Sequence, residues 1–160
     1  MGQLEQLDQQ SGRAGLARGS TDLEHLSEHD CWTFLSTHKL GRLAVNVSGT
    51  PRIFPINYAV GEGTIVFRTQ PGAKLAHGPG SPVCFEIDGY EETSARGWSV
   101  MAIGTLQDIT RADDPRSVRL RELHVRPQAP GQRQYWLALT PTEVTGRLFR
   151  VGWVPGQYFG

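Results

Sequence analysis

Arg68, Thr69 and Lys74 crowd around a single Pro71-Gly72 turn in the stretch FRTQPGAKLA, residues 67–76. A guanidinium offers a planar fork of donors, an ammonium a mobile point charge, and a hydroxyl one further donor. Together they suit a phosphate dianion. The fit improves if Lys74 opens a helix, because free N–H groups and the positive dipole end favour an anion there. Arginine and lysine are also ordinary residues of solvated turns. On these residues alone both readings stand, a phosphate grip or an exposed loop.

The preceding apolar stretch adds a second feature. In RIFPINYAV, residues 52–60, Arg52, Pro55 and Asn57 occupy positions where a plain strand would carry apolar residues or threonine. Proline cannot donate to a ladder, so it marks an edge, a bulge or a close ligand approach. A flat heteroaromatic ring could lie along such an edge, with Asn57 supplying both a donor and an acceptor. The alternative is an edge strand whose Asn57 is bonded to its own turn.

Other chemistry-bearing residues point nowhere as sharply. Glu86 and Asp88 share a strand face, but two carboxylates do not make a metal site, and no metal is expected. Cys31 and Cys84 lie in no metal or redox spacing and read as buried free thiols. No Ser/His/Asp or Cys/His set appears, so no catalytic residue is assigned. His25, His29 and His38 surround the first helix and read as surface residues. His77 follows the phosphate turn as a helix cap or an added phosphate donor. His124 falls in RLRELHVR, read as a solvated helix face with a Glu122–Arg126 pair; a second anion patch is the alternative. Trp136 and Trp153 read as core or interface residues.

The elements that must position these groups follow from patterning. Ser27 with Asp30 three residues on is a helix N-terminal cap, and Cys31, Trp32, Phe34 and Leu35 form its apolar stripe. His38 and Lys39 suit the C-terminal end, and Gly41 is expected to stop this helix. Strands are expected at 42–47, 52–60, 64–69, 82–88 and 98–110, with one or two more in 134–153. Short helices are expected at 72–78 and 113–125, the latter with an Asp cap and Pro115 near its start. Helix, strand meander, helix, strands suggests a closed or partly closed antiparallel barrel with flanking helices. Residues 1–20 read as a disordered or arm-like tail before a single domain, 21–160.

Composition narrows the partners. The 160 residues carry 16 Lys plus Arg and 16 Asp plus Glu, so any attraction for an anion must be local and neither nucleic acid nor a membrane surface is expected. No apolar run approaches the roughly 20 residues that span a bilayer. With no signal-peptide core and two free thiols, a cytoplasmic protein is expected.

The ordered series GRLAV, GTPRIFPINYAVGEGTIVFRTQPGAKLA and PVCFEIDGYEETSARGWSVMAIGTLQDIT resembles the pyridoxamine 5′-phosphate oxidase-like flavoproteins, in the actinobacterial branch related to nitroimidazole-resistance proteins. The resemblance covers about residues 25–152. It implies a mainly β fold, a split β-barrel of Greek-key type, and a homodimer holding FMN at its interface. It implies that Arg68, Thr69 and Lys74, with the adjoining Phe67 and Leu75, hold the FMN phosphate. The strand from Arg52 through Pro55 and Ile56 to Asn57 would lie along the isoalloxazine. Gly97 to Val100, through Trp98 and Ser99, would approach the ring from the partner. The implied activity is electron transfer from a nicotinamide donor to a small-molecule acceptor. The alternatives are a reductase using the deazaflavin F420 and a non-catalytic flavin-binding dimer. True pyridoxamine-phosphate oxidases carry a C-terminal RLHDR-like run; here GRLFRVGW stands instead, which argues against that substrate.

Overall fold

A computed structural model describes residues 21–125 and 134–151. The expectations for residues 1–20, Arg126 and Trp153 fall outside them. Among the described residues there are seven strands: β1 Thr21–His25, β2 Leu40–Val47, β3 Thr50–Gly61, β4 Thr64–Thr69, β5 Pro82–Glu91, β6 Arg96–Asp108 and β7 Tyr135–Val151. The helices among the described residues are α1 Glu28–Thr37, α2 Ala73–His77 and α3 Pro115–Arg121.

The strands form one antiparallel sheet in the order β1-β7-β4-β3-β2-β5-β6, and β6 also pairs with β7. That last pairing rolls six of the strands into a closed barrel, which removes most exposed strand edges. Strands β2, β3 and β4 form a meander, and β5 returns beside β2, the Greek-key pattern. A register shift between Ile103 and Gly104 lets β7 bend along β6. Gly104 is required there, since a Cβ would lie 2.3 Å from the Thr140 carbonyl oxygen.

The barrel is filled by alternate residues of its strands. Leu43, Tyr58, Ile65, Phe67, Phe85, Ile87, Leu106, Leu137 and Leu139 are fully buried, each contributing about 1.5–3 kcal/mol of burial. Helix α1 sets Cys31, Phe34 and Leu35 against this core. Its Ser27 cap forms as expected: the hydroxyl oxygen accepts from the Asp30 N–H at 3.1 Å. A smaller cluster of Val66, Ile109, Leu120 and Ala138 lies on the outer side of β4 and β7, beneath α3.

Several boundaries differ from the sequence reading. Helix α1 ends at Thr37, and Gly41 is a strand residue pressed against Phe85, not a helix stop. Helix α3 ends at Arg121, so His124 is not helical. The last segment is one strand of 17 residues. The short β1, which polar TDLEH did not announce, is held by its pairing with β7. Cys31 is buried, whereas Cys84 is only partly so.

Tyr58 links α1 to the barrel. Its hydroxyl donates to the Leu35 carbonyl at 2.8 Å. Burial pushes the phenol far above its ordinary value of 10.0. The folded state therefore holds this proton more tightly than the unfolded chain. The stabilisation is present below pH 10 and is lost as pH rises beyond it. Thermal melts should show an alkaline decline that Tyr58→Phe makes shallower. At neutral pH the same variant should cost about 1 kcal/mol, the net worth of a buried hydrogen bond.

Candidate functional site

The site begins where two strands part. Strand β3 is 12 residues long and β4 only 6. Their pairing runs from Gly61↔Thr64 to Tyr58↔Phe67 and stops. Beyond it, residues 50–57 of β3 pair with β2 alone among the described residues, leaving one backbone edge out of the sheet. Helix α2 comes beside this edge. Ala73 and Leu75 pack on the core, and the Lys74 ammonium lies 4.6 Å from the centre of the Phe54 ring. The helix is short and begins at Gly72, which has a φ of +155° and supplies no side-chain cap.

Strand alternation separates the residues around the Pro71-Gly72 turn. Phe67 and Thr69 point into the barrel. The Thr69 hydroxyl donates to the Gln70 carbonyl at 3.1 Å. Arg68 points outward, so Arg68 and Thr69 do not present their side chains to one face. Its guanidinium stacks 5.1 Å from the ring centre of Trp136, its cross-strand neighbour on β7. The Arg68 Nε is buried and has no hydrogen-bond partner. A buried donor left unpaired costs about 1–3 kcal/mol. Stacking on an indole recovers part of that cost.

The β3 residues divide in the same way. Ile56 points into the core. Arg52 is exposed near the start of the strand. Pro55 is exposed, and Asn57 is buried on the outward side. The Asn57 amide donates to the Lys39 carbonyl at 3.2 Å, an acceptor it shares with the Tyr58 N–H at 3.1 Å. Asn57 is thus bonded to the link between α1 and β2.

Residues 97–100 follow the same rule. Trp98 points inward and is 7% exposed. Its ring lies 4.6 Å from both Phe34 and His38. Ser99 is the outward member, opposite Asp88 and Arg147 in register. Glu86 and Asp88 share a face as expected, and Arg42 on β2 bridges both. Among the described residues no group of three His, Cys, Asp or Glu side chains could hold a metal.

Arg68 also borders a cleft of about 450 Å³ with Trp136 and residues 121–125. Arg121 is fixed there by donating to the Ala112 carbonyl at 2.7 Å and to the Ile109 carbonyl. Sequence reading missed Phe54 and Trp136 as partners of the two cations. Strand register sets Trp136 beside Arg68, whereas Phe54 meets Lys74 only because α2 folds back onto β3.

Comparison with known proteins fits this architecture. The pyridoxamine 5′-phosphate oxidase family model matches residues 27–148. Rv0080 of Mycobacterium tuberculosis is 24% identical over 140 residues, 84% of this chain and 90% of that protein. A FAD binding protein from Mycobacterium smegmatis superposes with a TM-score of 0.66 at 33% identity, covering 79% of this chain and 97% of that one. A FAD-binding protein from Mesorhizobium loti, at 20% identity and a TM-score of 0.61 over 79% of this chain and 97% of that one, shares the fold.

The unpaired Arg68 Nε yields a stability test. Arg68→Met keeps an apolar stem against Trp136 and removes the orphaned donor. Its unfolding free energy by urea titration should equal or exceed that of the wild type, within about 1 kcal/mol. A loss well beyond that would show that Arg68 is retained for packing alone.

Proposed function

The chain belongs to the pyridoxamine 5′-phosphate oxidase family, and from that premise we propose that it binds the FMN portion of a flavin and works as a flavin-dependent oxidoreductase. The observation that carries this reading is the buried, partnerless Nε of Arg68 at the end of β4. A half-buried guanidinium with one unpaired donor beside a cleft is suited to contact an anion. The open edge of β3 at residues 50–57 supports it, because unpaired backbone groups can bond the edge of a flat ring.

In this reading Arg68 and Lys74 hold the flavin phosphate and Arg52 adds charge at the start of β3. The main chain from Pro55 to Asn57 orients the ring. Thr69 acts through its backbone position, since its hydroxyl is turned inward. Trp98 supports the segment from within, and Ser99 is the group that reaches the outer surface. A bound flavin supplies two-electron transfer between a nicotinamide donor and a small acceptor. The protein's own part is to position that group and exclude water around it.

The same reading makes the protein a homodimer with the flavin near its interface. Leu40 and Ile53, 54% and 68% exposed on neighbouring strands, are apolar side chains that a second copy would cover. Arg147 and Arg150 replace the RLHDR-like run of the oxidases, so pyridoxamine phosphate is not the expected substrate.

The purified protein should absorb as an oxidised flavin, and chromatography of the denatured supernatant should identify the group. A nicotinamide donor should bleach it without oxygen, and an acceptor such as a quinone should restore it. Bound flavin that no donor reduces would indicate a storage or sensing dimer. A colourless protein that takes up no added flavin would sink the reading and make F420 the next ligand to add. Arg68→Ala and Lys74→Ala should each weaken FMN binding by about 1.5–3 kcal/mol in a calorimetric titration. Unchanged affinity in both would remove these residues from the site.

A further inference from the structure

Strand register lines up a row of uncharged side chains across the outward face of four neighbouring strands. Ile53 on β3 pairs with Ala44 on β2, Ala44 with Cys84 on β5, and Cys84 with Ile103 on β6. Ile53 is 68% exposed, and the other three are partly exposed. The next row along the strands reads Pro55, Arg42, Glu86 and Met101. Pro55 and Met101 are exposed at its two ends, and Arg42 and Glu86 form an ion pair between them. Both rows face outward, because the alternate residues Leu43, Phe85 and Ala102 fill the core.

This face is complementary to itself. A two-fold axis along the strands, between β2 and β5 and midway between two facing copies, sets β3 of one copy across β6 of the other and β2 across β5. Ile53 then meets Ile103 of the partner subunit, and Pro55 meets the partner subunit's Met101. The charges match in the same way. Strand β2 brings Arg42 and β5 brings the acids Glu86 and Asp88, so Arg42 meets Glu86 of the partner subunit. Ala44 and Cys84, the smallest side chains of the apolar row, lie nearest the axis, where two sheets about 10 Å apart come closest. We propose that this face is the contact between two copies of the chain, related by that axis. The proposal rests on the homodimer reading above and adds the face and the symmetry. A different partner would not require the face to match itself in both its apolar and its charged row. The contact also covers Cys84, a thiol that the single chain leaves partly exposed.

The test is the mass of the purified protein in solution, read by light scattering. The wild type should show twice the mass of one chain. Ile53→Glu and Ile103→Lys each place a charge against an apolar side chain in this contact, and each should halve that mass. An equal mixture of the two variants should return to the dimer mass. The axis brings the two new charges together at one contact and leaves an Ile53–Ile103 contact intact at the other. Thermal melts check that each variant is folded. Met101→Lys, exposed and two residues away on the same face of β6, replaces Ile103→Lys if that chain melts early, and is read the same way. A dimer that either variant leaves intact overturns the proposal, and the homodimer reading stands. Two monomeric variants whose mixture stays monomeric overturn the axis and the proposal with it. A monomeric wild type overturns the homodimer reading together with this one, and leaves flavin binding to be read separately from the absorption spectrum.

Discussion

The double pairing of β7 is the constraint on which the rest of this fold depends. Its first residues lie between β4 and β6, and its last lie between β1 and β6. Without that strand, β4 and β6 would each present a bare edge and the core would lose one wall. The strand can serve both neighbours only because it bends. The bend is made where the register with β6 passes over Thr142 and Pro141 faces Gly104, the place in a sheet where proline is tolerated. The same register sets Trp136 opposite Arg68, so the environment of the outward guanidinium follows from barrel closure.

Closure uses up most of the sheet's hydrogen-bonding edge, and what remains is informative. Strand β3 is twice the length of β4, so its first residues outrun their neighbour. Among the described residues no other strand repairs the mismatch. It is met by α2, a helix too short to be stable alone, held by Ala73 and Leu75 against the core. A helix cannot satisfy the backbone groups of a strand edge. Residues 50–57 are therefore left with donors and acceptors available to solvent or to a ligand, beside two cations drawn from the ends of adjoining elements.

Much of this was legible in the chain. Period-two patterning located β2 to β6 to within a few residues, and Ser27 with Asp30 fixed the start of α1. What was not legible came from tertiary context. TDLEH has no strand signature and becomes β1 only by pairing with β7. Leu123 and Val125 extend the apolar rhythm past Arg121, yet the helix stops where the Glu122 N–H turns to the Arg119 and Leu120 carbonyls. The direction of Trp98 was hard to read because Met101 and Ile103 lend apolar character to the outer face of β6 as well; the burial of Val100 and Ala102 shows which face is inside. The split between Arg68 and Thr69 could have been read from their adjacency, since neighbouring strand residues point to opposite sides.

The charge balance sharpens the position of Arg68. A chain with equal numbers of acids and bases exerts little general pull on an anion. Several of its arginines are visibly matched. Arg42 meets Glu86 and Asp88, and Arg116 and Arg119 meet Glu62, clamping α3 to the β3–β4 turn. The Arg119 hydrogen bond holds the Glu62 carboxyl below its usual range. These exposed pairs neutralise one another at little net gain. Arg68 is treated differently: it is drawn in from solvent and set on an indole with its Nε unpaired. Cation–π contact lowers the cost of desolvating the guanidinium without neutralising it. A neutral protein thereby keeps a concentrated positive charge at one place, beside the strand edge that barrel closure leaves open.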